Sequence, residues 1–205
     1  MIRNQIQIMI FIILTRFIIV LSDNGDQFHR IAMATFLLSA CRDVGFDMES
    51  TWKACFIFRK FSDIKADEHE SDDLFGAACM WTVSKHTEML VPAEPRLRDI
   101  LCSTQYFHSQ QTGTTLPWPI EMEEYWSLRD KILHLESILL TRLKHDLRVA
   151  CIDGLEFFLF NQAMGNQVTC ARCWDVLDIR FAVGMVEENI DSWTLAENII
   201  SSIDS

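Results

Sequence analysis

Two helix-like segments carry an apolar stripe that runs into a charge. In Ser71–Glu88 the stripe Leu74, Ala78, Trp81 leads at helical spacing to Lys85. In Glu121–Leu143 the stripe Tyr125, Leu128, Ile132, then Leu139 or Leu140, and Leu143 contains Glu136. A charge on a core-facing stripe costs free energy unless it is paired or hydrogen-bonded. The two charges are opposite, so Lys85 and Glu136 neutralise each other wherever the two helices pack face to face. Such a pair is a structural ion bridge, two side chains snorkelling at helix edges, or a feature turned jointly toward a partner.

Other residue types with chemical potential are sparse. Cys170 and Cys173 form a single CxxC. A zinc site needs four ligands, and no second pair stands at a suitable distance, so the two read as core thiols one helical turn apart. His69 lies among Glu68, Glu70, Asp72 and Asp73, a run that reads as a solvated acidic loop and matches no ion-binding loop motif. HExxH, a Gly-rich phosphate loop and GxSxG are all missing from the sequence. The residues therefore point to no catalytic centre, no metal site and no cofactor.

The elements that hold these residues read as helices. Seven Gly and four Pro in 205 residues leave few tight turns. An apolar share of 49% supplies a core, and a charged share of 23% is ordinary for a folded chain. The net charge of −11 argues against nucleic acid as a direct ligand, because phosphate binding needs a basic surface. Seven cysteines, four of them (Cys41, Cys55, Cys79, Cys102) in helix-like apolar surroundings, fit reduced buried thiols in an intracellular protein. Met1–Ser22 is strongly apolar but carries Arg3 and Arg16. As a secretory signal it lacks a small-x-small cleavage site, and as a span it is marginal, since ~20 apolar residues are needed. Residues 1–27 are thus an anchor, a signal, a tail or a wrongly assigned start.

Helix signals then recur over Phe28–Val44, ending at Gly45, and over Met48–Phe61. An acidic run, Asp63–Asp73, precedes the Lys85 helix, whose N-cap is Ser71 or Asp72 and which Pro92 and Pro95 close. Arg96–Phe107 is a short helix and Ser109–Pro119 a polar loop. Glu121–Leu143 is the longest helix, acidic at its first turn and basic at its last, as the helix dipole favours. Leu147–Val149 reads as extended. Ile152–Met164, Val168–Ile179 and Ser192–Ile203 are further helices, and the chain is assigned to the all-α class.

The segments spanning 78–88, 96–101 and 133–147 resemble the cyclin box. The third helix of that family ends in an Ala-Lys-x-x-Glu-like pattern, matched by Lys85 and Glu88. Its fifth reads Glu-x-x-x-Leu-x-x-Leu-x-Phe-Asp-Leu, matched by Glu136, Leu140, Leu143, His145, Asp146 and Leu147. Within the family the similarity is greatest to the cyclin Q branch, through RDIL…YF, YWSLRDKILHLE and the terminal ENIISSID. The resemblance implies a five-helix cyclin box over 28–149 and an incomplete second box over 150–205. Only 55 residues follow Ala150, too few for five helices of ~11 residues with their loops. An incomplete box is expected to leave apolar faces uncovered.

The resemblance also implies a function. It makes the chain a non-catalytic regulatory subunit that pairs with a cyclin-dependent kinase, of the PISSLRE class for the cyclin Q branch. Cell-cycle or transcriptional roles in the nucleus or cytoplasm would follow. Lys85 and Glu136 would hydrogen-bond beside the αC helix of the kinase, and His86, Leu140, His145 and Leu147 would line the same contact. Docking would push αC inward and complete the kinase Lys–Glu pair. His86 and His145 stand where cyclins commonly carry Phe, and loss of a buried aromatic costs ~3 kcal/mol or more. The alternative implied is a cyclin-fold scaffold or transcription-linked protein that binds without activating.

Overall fold

The structure, a computed structural model, describes residues 25–68, 70–86, 96–113, 122–164, 166–183 and 190–204, with the side chains of 25–34, 65, 66, 86, 179, 182, 183 and 204 set aside. The apolar segment 1–22, His69, Pro92, Pro95 and the His86 side chain lie outside the described residues. Those residues contain helices and no strand, so the chain is all-α.

Helix α1, Gly25–Val44, stops because Gly45 takes a left-handed turn at φ +88. Gly45 N–H donates to Arg42 O (3.2 Å) and Phe46 N–H to Cys41 O (2.9 Å), which satisfies two carbonyls of the last turn. Helix α2, Met48–Lys60, is opened by the Asp47 carboxylate, which accepts from the Ser50 N–H at 2.7 Å. A short helix α3, Ser62–Asp67, occupies the start of the acidic run. Helix α4, Asp72–His86, is apolar nearly all round, and every residue from Leu74 to Met80 is buried. Such a helix belongs at the centre of a bundle, and α4 packs against α1, α2, α5 (Leu97–Thr112) and α6 (Met122–Arg142).

The sequence reading placed Ser109–Thr112 in a loop, but α5 runs through it. Gln111 Nε2 bonds Thr35 Oγ1 across to α1, and Gly113 at φ +71 caps the helix through Ser109 O at 2.8 Å. The polar side chains of this turn make helix contacts rather than a loop.

Beyond α6 the chain turns through two left-handed non-glycine residues, Lys144 (φ 54) and His145 (φ 58). Then α7 (Leu155–Gln162), α8 (Gln167–Val183) and α9 (Ser192–Asp204) pack on one another. Relative to expectation, α7 starts three residues later, behind the left-handed Gly154, and α8 extends four residues further.

The buried apolar residues form two clusters. The larger joins Phe36, Phe58, Phe75, Met80, Ile100, Leu135 and their neighbours from α1 to α6. The smaller joins Cys151, Leu155, Leu159, Leu177, Phe181 and Ile199 from the C-terminal helices, but its largest member is Trp52 of α2. Trp52 stacks on Phe181 at 5.5 Å between ring centroids, so one aromatic from the first unit is the hub of the second. Cys173 belongs to this second cluster, and Cys170 one turn earlier is also buried.

Candidate functional site

Helices α4 and α6 run side by side, and their interrupted stripes meet. Lys85 Nζ lies 2.9 Å from Glu136 Oε1. The other carboxylate oxygen, Oε2, accepts from Trp81 Nε1 at 3.1 Å. Trp81 also lies beneath the ammonium, its ring centroid 5.3 Å from Lys85 Nζ. The carboxylate is 7% exposed and the lysine side chain 43%, so an inward anion carries an outward cation at the edge of the bundle. In the sequence Trp81 reads only as part of the core stripe, whereas the structure makes it the second donor to Glu136. The signal for it was its place one turn before Lys85.

The remaining residues expected at this face are spread around the end of α6. Leu140 is half-buried against the first cluster. Leu147 is 8% exposed and belongs to that cluster, so it has little surface left for a partner. His145 is exposed, and its N–H donates to Leu140 O at 2.9 Å. Beside it, the Asp146 carboxylate takes Arg148 Nε at 2.9 Å, Arg148 Nη2 at 2.7 Å and the Arg148 N–H at 3.0 Å. These hydrogen bonds hold the Asp146 carboxyl down at about 2. The turn presenting His145 is thus followed by an exposed Asp–Arg clasp.

A second buried carboxylate has the same set of partners. Asp178 of α8 is bonded by the Arg42 guanidinium of α1 and accepts from Trp52 Nε1 of α2 at 2.8 Å. Burial pushes its carboxyl above the ordinary range, against the opposing pull of Arg42 and Trp52. Arg59 adds a bond to Phe181 O at 3.4 Å. This cluster bridges the two apolar units.

All seven cysteines are free thiols, six of them buried. Burial raises the pKa of Cys41, Cys55 and Cys79 above the ordinary thiol value, so these three are poor nucleophiles. Among the described residues, no group of three or more His, Cys, Asp or Glu side chains is arranged to hold a metal ion. Among them, too, no helix is long and apolar enough to cross a membrane. The chain matches no model of a known protein family and no curated protein.

Proposed function

We propose that the chain is a cyclin-like regulatory subunit, nearest the cyclin Q branch, that binds and activates a cyclin-dependent kinase of the PISSLRE class. It performs no chemistry of its own and acts in the nucleus or cytoplasm. One observation carries this reading: the half-exposed Lys85 is held over the edge of the bundle by a buried Glu136, on the two segments that resemble the cyclin box. A cation anchored from behind loses little rotamer freedom when it meets a carbonyl on a partner, so it is pre-organised for binding. Trp81 stiffens the pair further by holding the second carboxylate oxygen. In this reading the partner's αC helix lies across Lys85 and Leu140, and binding favours the active kinase.

The second reading is a scaffold that binds without stimulating. The burial of Leu147 and the polar, exposed His145 favour it, because both reduce the apolar area available to αC. One experiment separates the two. Purified kinase of the PISSLRE class is mixed with the full chain, and phosphorylation of a peptide substrate is followed beside co-sedimentation. Activation by the wild type but not by Lys85→Glu supports the first reading. Co-sedimentation without activation supports the second, and neither effect removes both.

A further inference from the structure

The second helical unit exposes more aromatic surface than its size explains. Phe157 is 66% exposed, Phe160 53% and Trp193 51%, and Met164 beyond the end of α7 is 95% exposed. Phe157 and Phe160 are three residues apart on α7, the spacing of one helix face, and Met164 follows beyond its end at φ 52. Phe158 joins this face to α9. Its ring lies 5.6 Å from that of Phe157 and 5.4 Å edge-on from that of Trp193. Phe157, Phe158 and Trp193 thus form a joined aromatic ridge from α7 to the start of α9, with Phe160 exposed one turn further along α7. Scattered exposed apolar side chains are normal, but a joined aromatic strip marks an interaction surface.

Charge says what covers it. Residues 151–205 contain nine acidic residues and two basic ones, Arg172 and Arg180. Two of the acids flank the ridge. Glu156 immediately precedes Phe157, Glu197 lies one turn after Trp193, and both are exposed. A second copy of the chain would bring its own net −11 against this rim, so like charges oppose self-pairing. An apolar strip with an acidic border is complementary to a helix that is apolar on one face and basic on the other. We infer that the α7–α9 ridge is a docking site for a cationic amphipathic helix of another protein. This surface uses none of the residues of the Lys85–Glu136 site and stands whether or not that site binds a kinase.

The test uses the full chain and two fluorescent synthetic helices of about five turns. One carries Leu on one face and Lys on the other, and its twin has Glu in place of Lys. Anisotropy titrations are expected to give saturable binding of the Leu/Lys helix that weakens with added salt, and no binding of the Leu/Glu helix. Phe157→Ser with Phe160→Ser should weaken the Leu/Lys helix about tenfold or more, as removal of central aromatic anchors does. Glu156→Lys with Glu197→Lys touches only exposed charges and provides an independent loss of binding in a chain that melts like the wild type. Binding indifferent to both pairs of substitutions would overturn the proposal, since it would be attraction to net charge alone. Equal binding of the two helices would also overturn it. A dimer in sedimentation that the Phe substitutions dissolve would assign the ridge to a second copy instead. Protection of Met164 from oxidation in the unliganded monomer would assign it to the chain's own residues 1–22.

Discussion

Glu136 and Asp178 are the same device placed in two different settings. Each is a buried carboxylate that accepts a tryptophan N–H and faces a half-exposed cation: Trp81 and Lys85 in one case, Trp52 and Arg42 in the other. Exposure does not separate them, since the lysine side chain is 43% exposed and the arginine 48%. Their surroundings do. Asp178 sits on the seam, where α8 meets α1 and α2, and its three-way contact is the polar part of the bond between the two apolar units. Glu136 links α4 to α6, which already share a continuous apolar core through residues such as Val83, Ile132 and Leu139. The seam clamp therefore has a structural task. The rim pair joins two helices within one unit, and the binding role proposed for it is what substitution of Lys85 tests.

The seam is where the largest loss is expected. Trp52→Ala removes the hub of the second cluster, and truncating a buried Trp costs about 3–5 kcal/mol. Urea denaturation should register that drop, and hydrogen exchange should place the early opening in α8 and α9. A loss spread evenly over both units would erase the distinction drawn between them.

Substitution of the clamp's carboxylate comes next. Asp178→Ala leaves the buried Trp52 N–H without its acceptor, at a cost of about 1–3 kcal/mol. Asp178→Asn keeps an acceptor and removes a desolvated charge, so it should lie much closer to the wild type. The raised folded pKa fixes the pH dependence. Protons bind the folded state more tightly than the unfolded one, so this group's stabilisation is full below the ordinary carboxylate pKa. It is lost as pH rises through the raised value. Melting curves against pH should show that slope in the wild type and a flatter one in Asp178→Asn.

Within the first unit, Gly76 sets a smaller penalty. A Cβ there would stand 2.9 Å from Phe36 Cζ, and Phe36 is held edge-on against Phe58 and His108. Overpacking outweighs the gain in helix propensity, so Gly76→Ala should cost about 1 kcal/mol in thermal denaturation. Smallest of all is Arg148→Ala. The Asp146 carboxyl, freed from its clasp, should titrate nearer the ordinary carboxylate value than about 2 when followed by NMR. An unchanged titration would mean that Arg148 does not clasp Asp146.

How much of this was legible in the sequence depended on distance along the chain and on contrast. Lys85 and Glu136 stood out because each interrupts an apolar stripe, and their helices were clear from periodicity. Gly45 as the end of α1 was legible because a left-handed turn after an apolar helix has few alternatives. Asp178 gave no such contrast. With Asp175 it reads as an ordinary polar face, and its partners lie 126 and 136 residues away. Nothing local marks which of two acids turns inward. The end of α5 failed for the opposite reason. Its last turn, Ser109–Thr112, is polar in type, and a contact distant in sequence, Gln111 with Thr35, ties it to α1.

The most direct test pairs the two cations. Lys85→Ala and Arg42→Ala are made separately in the full chain, and each is measured twice: melting temperature, and Kd for a purified cyclin-dependent kinase of the PISSLRE class by calorimetry. Arg42→Ala should lower the melting temperature and leave Kd near the wild-type value. Lys85→Ala should lower the melting temperature less than Arg42→Ala, because α4 and α6 keep their shared apolar core, yet weaken the kinase at least about tenfold. A Lys85→Ala chain that binds the kinase as tightly as the wild type would contradict the account, and the rim pair would then be a second structural bridge.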